Sequence, residues 1–112
     1  MKTNIKLKKL LEQTINQNNL SEILKAILKE DLYLAFNGNH LLELEAGTKI
    51  YIPLFTSKQE LKEMEYTRLD KVKIMTVVED IYSMGKYYAI TINPYTDDFI
   101  IGKSMIKLMS II

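Results

Sequence analysis

The sequence predicts one α+β domain over residues 1–112, built on a mixed β-sheet packed with helices. Three observations predict it. Two apolar stripes at helical spacing occupy 1–29 as an N-terminal helical segment. Strand-like runs at 32–36, 40–45 and 49–55 then read as a three-strand meander, because Asn37-Gly38-Asn39 and Ala46-Gly47-Thr48 are strong turn signals between them. Strand and helix patterns alternate from there to the end, so 30–112 holds two strand–helix–strand crossovers and a terminal strand.

The first helix runs from Ile5 to Ile15, where Leu7, Leu10, Leu11 and Ile15 recur at helical spacing, and Asn16-Gln17-Asn18-Asn19 breaks it. In the second, Leu20, Ile23, Leu24, Ile27 and Leu28 make one stripe, with Asn19 or Ser21 available as cap. Both stripes are expected to cover the domain's own core. Along 49–55, Ile50, Ile52 and Leu54 share one face while Tyr51 and Phe55 share the other. A strand apolar on both faces belongs inside a sheet. Pro53 cannot donate a ladder hydrogen bond, so pairing is expected to end near it.

Ser57 is placed as the N-cap of a helix, with Glu60 completing a capping box. Beyond a polar connection at 66–71, Val72, Ile74 and Met75 read as a short strand. Thr76 and Glu79 then make a second capping box, Val78, Ile81 and Tyr82 an inner face, and Gly85 the residue just past the helix. The strand at 87–92 carries Tyr88, Ile90 and Ile92 on one side. A turn at 93–98 leads to a return strand at 99–101. The last helix, from Gly102 or Ser104, puts Met105, Ile106, Met109 and Ile112 at core spacing.

Fifteen basic and fourteen acidic residues leave a formal charge of +1, which gives no support for nucleic acid as a partner. The chain has no cysteine, which excludes disulfides, thiol catalysis and thiolate metal sites. Its first residues lack an uninterrupted apolar core and a small-residue cleavage site, and no apolar run approaches bilayer length. A cytoplasmic protein with no membrane partner is expected.

His40 stands alone beside a turn, with no second histidine or cysteine to complete a metal site. Glu43 and Glu45 share a strand face but are expected to be solvated, and Asp97-Asp98 sit in a turn without a calcium-loop pattern. Ser57 and Ser104 have no assignable base, and no Gly-rich phosphate motif is present. No catalytic residue, metal or cofactor is expected. One constellation remains. If the strands ending at Phe55, Met75 and Ile92 are parallel, then Phe55, Thr56, Ser57, Thr76, Asn93, Pro94 and Tyr95 lie along one carboxyl rim. Open α/β sheets bind ligands at such rims, so this is the candidate site for a small anion or carboxylate. Capping and turn formation explain the same side chains without a ligand.

Tyr51-Ile52-Pro53-Leu54-Phe55-Thr56-Ser57, running into Glu60-Leu61, resembles the signature of the SseB N-terminal domain family, named for an enhanced-serine-sensitivity protein. The family order continues in the strand and helix at 72–84, in Ile90-Thr91-Ile92-Asn93-Pro94, and in the strand and helix at 99–112. The resemblance runs from about Leu20 to the end. It implies this architecture and no established enzyme chemistry; properties of the second, C-terminal domain of longer members do not transfer. The expected function is that of a small non-enzymatic domain acting through an unidentified protein partner. A homodimer through Met109-Ser110-Ile111-Ile112 is one form of this. The alternative is a small-ligand binder or enzyme that uses the carboxyl rim.

Overall fold

The strand Lys49–Phe55 lies inside a mixed sheet of seven strands among the described residues, as its two apolar faces require. The computed structural model describes residues 5–13 and 18–112. The chain runs as α1 (Ile5–Leu11), α2 (Leu20–Lys29), β1 (Leu32–Asn37), β2 (His40–Leu41), β3 (Leu44–Ala46) and β4 (Lys49–Phe55). It continues as β5 (Arg68–Val72), α3 (Ile74–Asp80), β6 (Ala89–Ile92), β7 (Phe99–Ile101) and α4 (Lys103–Met109). Short 3₁₀ turns occupy Lys58–Leu61 and Tyr82–Met84. The first helix ends at Leu11 rather than running on as expected, since Glu12 and Gln13 already form a turn and bend; Ile15 and Asn16-Gln17 lie outside the described residues.

β1 carries β4 on one side and β5 on the other, both antiparallel. β4 and β6 pair in parallel, and β7 closes the sheet antiparallel to β6. β4, β5 and β6 therefore point the same way, with their carboxyl ends on one rim. β1 and β4 touch directly only at Tyr33↔Phe55 and Leu34↔Leu54. Farther along they splay, and the middle segment of the meander fills the gap. It pairs first with β1 at Phe36↔Leu41, then with β4 at Leu44↔Tyr51. The strand expected at 40–45 is split at Leu42-Glu43 because it changes neighbours there.

The same seam corrects the expectation for Pro53. The carbonyls of Ile50 and Leu54 accept N–H groups from Tyr88 and Asn93, so residues of that parity face β6. The nitrogen of Pro53 faces the other edge, where the β3 ladder has ended at Tyr51 and the β1 ladder has yet to start at Leu54. Pairing changes partner at Pro53 rather than ending, and the missing N–H costs no ladder bond.

All four helices among the described residues pack on one face. There Ile52, Leu54, Ile90, Ile92 and Ile101 meet Leu7, Ile23, Ile27, Ile74 and Ile106 in one buried cluster. The opposite face has a smaller cluster, in which Leu61 of the first 3₁₀ turn covers Tyr33, Ala35 and Phe55.

Several local expectations are overturned. The strand expected at Val72–Met75 lies earlier, at Arg68–Val72, while Ile74 and Met75 already belong to α3. β5 is an edge strand bonded to β1 alone, so polar Arg68, Asp70 and Lys71 are tolerated and the apolar pattern is thin. Lys73, not Thr76, precedes α3. The box at Ser57 does not form: its side chain makes no cap bond, Glu60 turns toward Lys8 and Thr96, and the segment is a 3₁₀ turn. Tyr88 is substantially exposed and packs on Tyr51 rather than sharing the buried side of Ile90 and Ile92, and Ile112 is exposed rather than in the core. Gly85, at φ 84°, does close its helical segment as expected.

Candidate functional site

At the carboxyl rim the parallel register Leu54↔Ile92 brings Thr56 and Asn93 together. Asn93 is fully buried at φ 51°, a left-handed conformation that asparagine tolerates better than most residues. Its Oδ1 accepts the Thr56 N–H at 3.0 Å, and its Nδ2 donates to Thr56 Oγ1 at 3.0 Å and to Asp97 Oδ2 at 2.8 Å. Its carbonyl accepts the N–H groups of Thr96 and Asp98 and so closes the turn. Lys8 reaches in from α1, where Nζ donates to Asp97 Oδ2 at 2.8 Å and Glu60 Oε1 at 3.2 Å. The Thr96 hydroxyl donates to the same Glu60 oxygen. Burial works against the Lys8 charge, but hydrogen bonds to Asp97 and Glu60 outweigh it and raise the lysine pKa above its ordinary value.

Of the residues expected on this rim, Phe55, Thr56, Ser57 and Asn93 are buried, Pro94 is half-buried and Tyr95 is exposed. Thr76 is the third residue of α3, exposed, beyond β5 and thus on the far side of β1 from β4. Thr56 and Asn93 are thus brought together, and Thr76 is not. Among the described residues no buried side-chain nitrogen or oxygen lacks a hydrogen-bond partner. The rim polar groups are satisfied by one another and by Lys8, which ties the N-terminal helix to the 93–98 turn. Among the described residues no His, Cys, Asp and Glu side chains gather as a metal site, and no helix is long and apolar enough to cross a membrane.

The opposite face of the sheet has a different character. Register puts Leu44, Tyr51 and Ala89 on it in one row, and Pro53, Thr91 and Ile100 in the next. Tyr51 and Tyr88 meet edge to face at 5.5 Å, and the Lys49 ammonium lies 4.2 Å from the centre of the Tyr88 ring. Tyr88, Tyr95 and Ile100 are 51%, 47% and 43% exposed. Between Leu44, Tyr51, Pro94, Tyr95, Asp98 and Ile100 lies a concavity of about 320 Å³. Thr91, buried at 3% exposure, also lines it and donates from Oγ1 to Asp98 Oδ1 at 2.9 Å. A second depression, about 610 Å³, adjoins Tyr95 beside Lys62, Glu63 and Met64. Sequence reasoning considered the tyrosines and Asp98 separately. What it lacked was the strand register that joins them. Lys8 gave no signal at all, since its partner Asp97 lies 89 residues away.

A third polar group ties the bend between β2 and β3 to the segment before β6. The Tyr87 hydroxyl donates to Glu43 Oε2 at 2.5 Å, and Lys86 Nζ lies 2.9 Å from the same oxygen. The Tyr87 hydrogen bond, helped by Lys86 and opposed by burial, holds the Glu43 carboxyl below its ordinary pKa. Burial, then the bond to Glu43, pushes Tyr87 up to about 12. The depressed Glu43 pKa stabilises the fold above the ordinary carboxylate range, and this contribution is lost as pH falls through the folded value. The raised Tyr87 pKa acts oppositely: its contribution is present below the ordinary tyrosine range and lost as pH rises toward the folded value. Tyr87→Phe is expected to move the Glu43 midpoint upward in a carboxyl-carbon NMR titration. An unmoved midpoint would mean that Tyr87 does not set it.

A family model described as SseB protein N-terminal domain matches residues 7–106, nearly the whole chain. The chain belongs to that family. The match takes in most of α1, which the sequence resemblance did not reach. No curated protein and no solved structure matches the chain significantly.

Proposed function

We propose that this SseB N-terminal domain is a non-enzymatic, cytoplasmic protein-binding module whose partner seats on the open sheet face formed by β3, β4, β6 and β7. The observation that supports it is the exposure of Tyr95 and Ile100 at a concavity, with the exposed Tyr88 packed edge to face on Tyr51, which lines it. Tyrosine offers large, rigid contact area at low entropic cost, and a contiguous apolar surface rimmed by polar residues suits an interface core. The rim reading has less support, since a ligand there would have to displace bonds that Lys8, Thr56 and Asn93 already make to protein groups.

Ile100→Glu tests the reading, because Ile100 sits half-exposed on edge strand β7 and its loss should leave the core intact. The immobilised domain should retain a specific protein from an extract of the cells that make it, and Ile100→Glu should weaken that retention roughly tenfold or more. Equal retention by the two forms, or no specific protein retained, overturns the proposal. Sedimentation showing self-association abolished by the same variant would identify the partner as a second copy.

A further inference from the structure

We infer that the concavity beside Asp98 accepts an arginine side chain of the partner protein, an inference that rests on the open face being the docking surface. Asp98 is the charged residue of this face that lines it, since the other charged lining residue, Glu45, pairs with Ile50 and so belongs to the helix-covered face; the rest of its lining includes Leu44, Pro94, Ile100, Tyr51 and Tyr95. Its occupant should therefore have an apolar stem and a cationic, planar end. Arginine combines these: its guanidinium stacks on aromatic rings, is more weakly hydrated than an ammonium, and directs N–H groups at a carboxylate.

Asp98 is set in advance for that contact. Its backbone is fixed at φ 46°, and its N–H is held by the Asn93 carbonyl at 2.8 Å. Its Oδ1 accepts from the buried Thr91 hydroxyl, which orients the carboxylate and leaves Oδ2 without a partner among the described residues. Asp98 is in none of the ion pairs among the described residues. A carboxylate fixed beside two tyrosines and left un-neutralised by its own chain is complementary to a guanidinium.

The test is a titration of the isotope-labelled full chain with N-acetyl-arginine amide and, separately, with the neutral isostere N-acetyl-citrulline amide, followed by NMR. The arginine compound should shift the signals of Tyr51, Thr91, Asp98 and Ile100, and the citrulline compound should bind roughly tenfold more weakly or less still. Equal binding of the two, or shifts confined to other surfaces, overturns the inference. Asp98→Asn is the second arm. Asparagine tolerates positive φ, and its oxygen can still accept from Thr91, so the turn is kept while the charge is removed. Arginine binding should fall roughly tenfold in this variant. Unchanged binding overturns the inference. If these arms fail while Ile100→Glu still abolishes partner retention, the arginine pocket falls and the docking face stands. If Ile100→Glu has no effect, the face itself falls.

Discussion

Asn93→Ala is expected to destabilise the domain by about 3 kcal/mol, measured as a lowered urea midpoint at unchanged slope. Two losses make up this figure. Removing the amide strands the Thr56 N–H and Oγ1 in a region shielded from water, at about 1–3 kcal/mol, and takes one of two donors from Asp97 Oδ2, which Lys8 still serves. Alanine at φ 51° adds about 1 kcal/mol of backbone strain that asparagine largely avoids. Asn93→Gly separates the two, since it loses the same hydrogen bonds without the strain and should lie about 1 kcal/mol above the alanine variant. Asn93→Asp keeps the acceptor for Thr56 but sets a carboxylate where an amide met Asp97, so it should be no better than alanine at neutral pH and should recover in acid. A loss for Asn93→Ala below about 1 kcal/mol would show that water replaces the amide, and that the rim is less closed than its hydrogen bonds imply.

What could be read from the chain, and what could not, follows from the range of each signal. Local signals were sound. The two apolar faces of β4 put it inside the sheet, Asn37-Gly38-Asn39 made its hairpin, and Gly85 took the left-handed conformation that ends its segment. That Thr56 and Asn93 share one rim was also legible, because it needs only that β4 and β6 be parallel; their hydrogen bonds were not. Thr76 was misplaced because β5 pairs with the far side of β1, a choice that no local pattern encodes. The Ser57–Glu60 capping box failed for a related reason: Glu60 has a better partner in Lys8, a cation supplied by a helix 52 residues earlier. A capping box contributes about 1 kcal/mol, so one charge-assisted hydrogen bond from a distant element is enough to redirect it. Pro53 misled for the opposite reason. The local rule was right that no ladder bond forms at its nitrogen, but the rule cannot foresee a seam where two neighbours exchange.

The other large effect belongs to the face without helices. Phe55→Ala should cost about 4 kcal/mol, because the ring is fully buried and its removal leaves a void between Tyr33, Ala35 and Leu61. A four-residue 3₁₀ turn, joined by the partly buried Leu42, Met64 and Leu69, covers this cluster, whereas Leu54, the preceding residue, points into the core beneath the helices. Such a turn can partly collapse into the void, so the cost should fall short of what the same deletion would exact under a helix layer. It should also be local. Amide exchange should accelerate in Lys58–Leu61 well before it does in α2, whose Ile23, Leu24 and Ile27 pack in the other cluster. Phe55→Leu should recover most of the lost stability by refilling the site. Because Phe55 is fully buried and does not line the concavity, Phe55→Ala should retain the partner wherever the domain stays folded, in contrast to Ile100→Glu. A loss below about 2 kcal/mol for Phe55→Ala, with exchange rising equally in α2, would mean that the small cluster is no packing unit of its own and that the two clusters respond as one.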